Sequence, residues 1–146
     1  MSATSHRGRR RTPSEVREST APDLAAISRE QVRRGLPAGA LDQLARKLGV
    51  DRSVLARVLG VSVRTLQRKA GENQRLSAAA SDRLARVRRI LDLATEVLGA
   101  QEKGARWLTS KSRALGGEVP LQMLDTDMGT QRVQQELHQI EFGFPF

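Results

Sequence analysis

Cysteine and tyrosine are both missing from this chain of 146 residues, and tryptophan occurs once. Without cysteine there is neither a disulfide nor a thiolate metal site, which fits a reducing cytoplasm. The only histidines are His6 and His138, and no partner base or nucleophile can be placed beside either. With no metal-ligand cluster, the sequence offers no catalytic residue, no metal site and no cofactor, so the chain reads as something other than an enzyme. No apolar run reaches about 18 residues and no apolar signal-peptide core opens the chain, so no membrane span is expected and the expected location is cytoplasmic. With so few aromatics, the core has to be built from Leu, Val and Ala, in one domain or two small ones.

Acidic residues are scarce in most of the chain but not in all of it. The formal net charge of +9 divides into +4 over residues 1–40, +9 over residues 41–113 and −4 over residues 114–146. A basic body suggests a polyanion partner, nucleic acid first among them, and an acidic last segment suggests a different one. That last segment also holds every phenylalanine: Phe142, Phe144 and Phe146. They can fold back on their own domain, form a seam between two copies, or enter another protein, and the last reading is favoured because aromatic anchors normally sit where something buries them.

Helical spacing runs through the chain, and the predicted class is all-α, a helix-turn-helix domain followed by a small helical domain. Residues 1–20 are Ser-, Thr- and Arg-rich without apolar periodicity, a disordered basic arm that either follows DNA or is simply solvated. Residues 21–76 are helical. Ala21 to Val32 predicts a short helix ended by Gly35 and Pro37. Leu41, Leu44, Ala45 and Leu48 form a stripe stopped by Gly49. Asp51 or Ser53 caps the next helix, with Val54, Leu55, Val58 and Leu59 inward and Gly60 as its stop.

Val61 then plugs a turn, and Ser62 caps a short basic helix with Leu66 inward. Helix, glycine-centred turn and short basic helix make a helix-turn-helix, in which the second helix enters the major groove. Acids are absent between Arg52 and Lys69. Arg64, Gln67 and Arg68 can make bidentate contacts to bases, whereas Ser62, Thr65 and Lys69 suit phosphate. A plain helical bundle is the competing reading.

Residues 77–99 predict a long helix, capped by Ser77 or Ser81, that serves as core and dimer seam. Leu84, Val87, Leu91 and Leu98 mark its face, Ile90 and Val97 widen it, and Arg83, Arg86, Arg88 and Arg89 make a wet flank. Residues 100–146 form the last unit. In it Thr126 or Asp127 caps a helix with Val133, Leu137 and Ile140 on one stripe, and the tail beyond Glu141 leaves as an extended strand.

The residues Ala105-Arg-Trp-Leu108, Ala114-Leu-Gly-Gly117, Pro120, Leu121, Leu124, Thr126, Gly129, Val133, Leu137 and Ile140-Glu-Phe-Gly143 resemble the toxin-binding domain of Xre, MbcA and ParS antitoxins. Together with the helix-turn-helix, the resemblance covers roughly residues 40–146. It departs in the linker from Thr109 to Ala114 and at Phe142, where relatives often carry Tyr or His. It implies an antitoxin whose C-terminal end blocks the active site of a RES-domain, NAD-consuming toxin and whose helix-turn-helix represses the shared operon. The partners it implies are that toxin, operator DNA and a second copy of the chain, in a higher-order complex.

Asp125, Asp127, Glu136, His138 and Glu141, with Phe142, Phe144 and Phe146, are then the expected toxin contacts. The acids would face a basic or polar pocket, and the carboxylate at Phe146 would take an anion subsite. The competing function is a stand-alone helix-turn-helix repressor whose C-terminal domain only dimerises or senses a ligand.

Overall fold

The computed structural model describes residues 27–70 and 74–143. Every regular element among them is helical: α1 (Arg29–Arg34), α2 (Ala38–Leu48), α3 (Arg52–Leu59), α4 (Val63–Ala70), α5 (Ala78–Leu98), α6 (Gln101–Thr109), α7 (Pro120–Met123) and α8 (Asp127–Phe142), with one 3-10 turn at Arg113–Leu115. The basic arm at residues 1–20 lies outside the described residues, as do Phe144 and Phe146.

Local chemistry sets the boundaries. Ser28 and Gln31 make a reciprocal capping box at the start of α1, so this helix begins at Arg29; the earlier part of the expected helix, residues 21–26, lies outside the described residues. Asp51 caps α3 by accepting from the Ser53 amide. Ser77 caps α5 through the Ala80 amide at 3.1 Å, and Thr126 caps α8 through the Gly129 amide at 3.0 Å. Ser81, the alternative cap for α5, is fully buried and does something else: its hydroxyl accepts from the Leu36 amide at 2.8 Å. That bond pins the entrance of α2 to α5, a long-range partnership that nothing near Ser81 announces.

The core is one cluster of leucines and alanines organised on α5, which touches α1, α2, α3, α6 and α8. Leu84, Val87, Ile90 and Leu91 are at most 1% exposed within the single chain, so their side chains leave no surface for a second copy. Leu98 is only half-buried, because it sits where α5 ends and the chain turns at Gly99 into α6. The α5–α6 hairpin is tight: a Cβ on Gly104 would lie 2.9 Å from the Thr95 amide nitrogen. Ahead of α5, the segment after α4 returns to the start of α2. There Leu76 donates its amide to Leu36 O at 2.7 Å, and Pro37 and Arg75 form an antiparallel bridge.

Three expectations about faces change. Val54 is exposed at 38%, and Ala56, at 1%, takes the buried edge of α3 instead; a small side chain fits the close approach there, while Val54 opens on a groove with Gln122 and Asp125. The arginine flank of α5 is mostly dry. Arg86 and Arg88 are 14% and 13% exposed and held in ion pairs, Arg83 donates to Leu59 O at 3.2 Å, and only Arg89 is exposed. On α8, Thr130, Val133 and Leu137 are buried while Ile140 is 37% exposed. The helix runs past the layer beneath it, so its last turn, Ile140 to Phe142, is all exposed.

Candidate functional site

Two surfaces stand out. The first is the outer side of α4. The turn into it is Leu59-Gly60-Val61-Ser62, with Gly60 at φ +71°, a left-handed conformation that glycine adopts without strain. A Cβ there would also run into the guanidinium of Arg83, the side chain that satisfies the end of α3. Val61 packs half-buried against the core. Ser62 Oγ then accepts from the Thr65 amide at 3.1 Å and shares a 2.7 Å bond with Thr65 Oγ1. Ser62 and Thr65 are therefore engaged with each other, capping the helix.

Leu66, 0% exposed, fixes the rotation of α4. At about 3.6 residues per turn, a buried Leu66 turns Arg64 and Arg68 directly away from the protein, with Gln67 on one flank and Val63 on that same flank, closer to the buried side. Val63, Arg64, Gln67 and Arg68 are all exposed. The side chain of Lys69 lies outside what is described. Of the basic helix expected from sequence, the structure thus leaves Arg64, Gln67 and Arg68 exposed, with Val63 at the border of that surface on the flank of Gln67, a residue that sequence reasoning did not single out.

The second surface is on α8 and the loop before it. Gly129 is required where α7 and α8 meet, since a Cβ would collide with the Met123 carbonyl oxygen. Met128, Gln131, Gln135, His138 and Phe142 recur at intervals of three and four, and all are exposed, so they form one stripe opposite Thr130, Val133 and Leu137. Met128 and Phe142 are 80% and 70% exposed. Gln131, Gln134, Gln135, His138, Gln139 and Phe142 line a shallow depression of about 470 Å³ on this side.

The acids divide differently from the expectation that all of them face outward together. Asp127 lies in the first turn of α8, which its charge suits, and its Oδ1 is 2.9 Å from Nη2 of Arg86. The same guanidinium nitrogen is 3.5 Å from Asp82 Oδ2, and Nη1 is 3.5 Å from Leu124 O. Asp127 is thus part of the bracket between α5 and α8. Glu136 is half-buried on the line of Arg132 and Ile140, away from Phe142. Asp125 faces α3, in the groove with Val54, Arg57 and Val58. His138 Nδ1 and Glu141 Oε2 are 3.5 Å apart, next to Phe142. The pair His138–Glu141 and the ring of Phe142 are what the structure brings together. Phe142 belongs to the last turn of α8, closed by Gly143 at φ +66°, and is not the start of an extended strand. The signal for the Met128-to-Phe142 stripe was present in the spacing, but its polar glutamines hid it from a search for apolar faces.

Among the described residues no helix is long and apolar enough to cross a membrane.

Residues 29–89 match the antitoxin Xre-like helix-turn-helix domain, and residues 93–143 match the antitoxin Xre/MbcA/ParS C-terminal toxin-binding domain. Antitoxin Xre of Photorhabdus laumondii is 31% identical over 126 residues, covering 86% of this chain and 82% of its own length. Antitoxin Xre of Pseudomonas putida is 37% identical over 84 residues, covering 58% and 53% respectively. A Sphingobium protein named Prs ADP-ribosylating antitoxin is 31% identical over 121 residues, covering 77% and 76%. With a helix-turn-helix and a toxin-binding domain in succession on one leucine core, the chain belongs to the Xre/MbcA/ParS family of toxin-antitoxin system antitoxins.

Proposed function

We propose that this antitoxin neutralises a RES-domain, NAD-consuming toxin with the end of α8 and the segment after it, and represses its own operon through α4. The observation that carries the first part is Phe142. A large aromatic side chain held 70% exposed at the end of a well-packed helix is an anchor awaiting a pocket. His138 and Glu141 flank it as a polar rim, and Phe144 and Phe146 follow it in sequence. The name of the Sphingobium relative, an ADP-ribosylating antitoxin, fits an NAD-dependent partner, since ADP-ribosyl transfer consumes NAD. Arg64, Gln67 and Arg68 on the outer side of α4 support the second part. A homodimer, suited to paired half-sites, belongs to the same proposal, and the burial of Leu84, Val87 and Leu91 directs its contact to another surface.

The test is NAD consumption by purified toxin titrated with full-length antitoxin or with a form lacking residues 142–146. Loss of inhibition, with retained folding and promoter binding, is expected; equal inhibition by both forms refutes the assignment. Arg64→Ala and Arg68→Ala should show the reverse pattern, intact neutralisation and weakened, less salt-dependent promoter binding. Unchanged promoter affinity in both variants removes α4 from the DNA interface.

A further inference from the structure

Val63 is the only exposed apolar residue among the described side chains of α4, at 39%. Leu66, at 0% exposure, already anchors α4. Nor does Val63 help the helix begin. Ser62 already caps it, and a β-branched side chain is a poorer helix former than Ala, Glu or Lys, any of which a solvent-exposed position accepts. Its neighbours are the three residues suited to base edges, Arg64, Gln67 and Arg68, all exposed.

Position gives this valine a use. The N-terminal residues of the second helix in a helix-turn-helix are those that reach bases, and Val63 is the first residue of α4. In the major groove only thymine presents a methyl group, and apolar side chains pack on it. A valine set instead against a polar base edge would strip water from a donor or acceptor and return no hydrogen bond. Val63 and Gln67 are one helical turn apart on the same line, so their Cβ atoms are about 5–6 Å from each other. Successive bases on a strand rise by about 3.4 Å, so the two residues address base pairs one or two steps apart. Gln67 has the paired donor and acceptor that match adenine.

We propose that Val63 reads the methyl group of a thymine lying one or two base pairs from an adenine held by Gln67, which makes Val63 a specificity-determining residue. This rests on the assignment of α4 to the DNA interface above.

The experiment has two stages. Full-length protein first selects binding sequences from random double-stranded DNA. Each thymine of the enriched site is then replaced singly by deoxyuridine, which removes the methyl group and nothing else. For one thymine in each half-site, the wild type should lose about fourfold in affinity, the worth of one methyl group taken out of water. Val63→Ala, whose folding is checked by its melting temperature, should bind the unmodified site about that much more weakly and be indifferent to the same deoxyuridine. No thymine with a methyl effect, or an equal effect in wild type and Val63→Ala, overturns the inference while leaving DNA binding intact. Failure to enrich any sequence refutes the DNA reading itself.

Discussion

Replacing Arg86 with alanine probes how the toxin-binding half is fastened to the rest. Its side chain is 14% exposed, and one guanidinium group meets Asp127 at 2.9 Å, Asp82 at 3.5 Å and the Leu124 carbonyl at 3.5 Å. It therefore joins α5, the end of α7 and the first turn of α8. The carboxylates of Asp127 and Asp82 are 83% and 63% exposed, so each pair contributes about 0.2–1 kcal/mol rather than the several expected of a buried one. The bond to Leu124 is at the outer limit of length and adds little. The aliphatic stem, covered by protein, adds about 1 kcal/mol through lost packing.

Truncation leaves no buried unpaired charge, because water reaches both acids, so Arg86→Ala should cost about 1–3 kcal/mol in all. Urea unfolding of the wild type, Arg86→Ala, Asp127→Ala and the double variant should yield a coupling of about 0.2–1 kcal/mol that shrinks as salt is added. An Arg86→Ala transition at the wild-type urea midpoint, with additive single variants, would refute the bracket.

Leu91→Ala removes a side chain 1% exposed and should cost about 2–5 kcal/mol; because that face is already covered inside one chain, light scattering should find the folded variant in the same oligomeric state as the wild type, and a folded variant reduced to monomer from a wild-type dimer would show that α5 holds two copies together after all. Asp51 is held below its ordinary pKa of 3.8 by the Ser53 hydroxyl, then by the Ser53 amide. A depressed folded pKa means a stabilisation that is present above the unfolded value and lost as pH falls through the folded one. Asp51→Asn keeps a capping side chain but not this titration, so any melting-temperature gap in favour of the wild type should narrow below about pH 4; a gap constant from about pH 3 to 7 contradicts it.

Much of this fold was legible because glycines and leucines agree. Leu41, Leu44 and Leu48 before Gly49, or Leu55 and Leu59 before Gly60, state both the buried face and the end of a helix in a few residues. The errors fall at the edges of stripes. Val54 and Ala56 flank the same inward face of α3, and hydropathy prefers the valine; which edge is buried depends on what crosses that face, and this information lies outside the helix. Ile140 fails for a related reason, since periodicity continues after the supporting layer has ended. The arginines of α5 were misread as wet because a long side chain can bury its stem and still meet an acid. Asp82 and Asp92, each four residues from its arginine, were the available hint, whereas Asp127 as a third partner was not legible at any sequence distance short of the fold.

The charge of the last segment has a structural meaning that a count conceals. A net charge of −4 over residues 114–146 suggests a uniformly acidic surface turned toward a partner, yet the individual acids are already divided among tasks. Asp127 is tied to Arg86 and holds α8 to the core, Asp125 looks toward α3, Glu136 sits half-buried on another line of the helix, and Glu141 is beside His138. Only the last is adjacent to Phe142. Long-range attraction depends on the summed field and survives this division, so the segment still speeds the approach of a basic partner. Short-range holding depends on desolvated contacts, and there the exposed stripe of Met128, Gln131, Gln135, His138 and Phe142 has almost no charge to lose. On the proposed reading, steering and holding are separated on this helix: acids around its flanks would draw the toxin in, and an aromatic anchor among glutamines would retain it without burying an unpaired carboxylate.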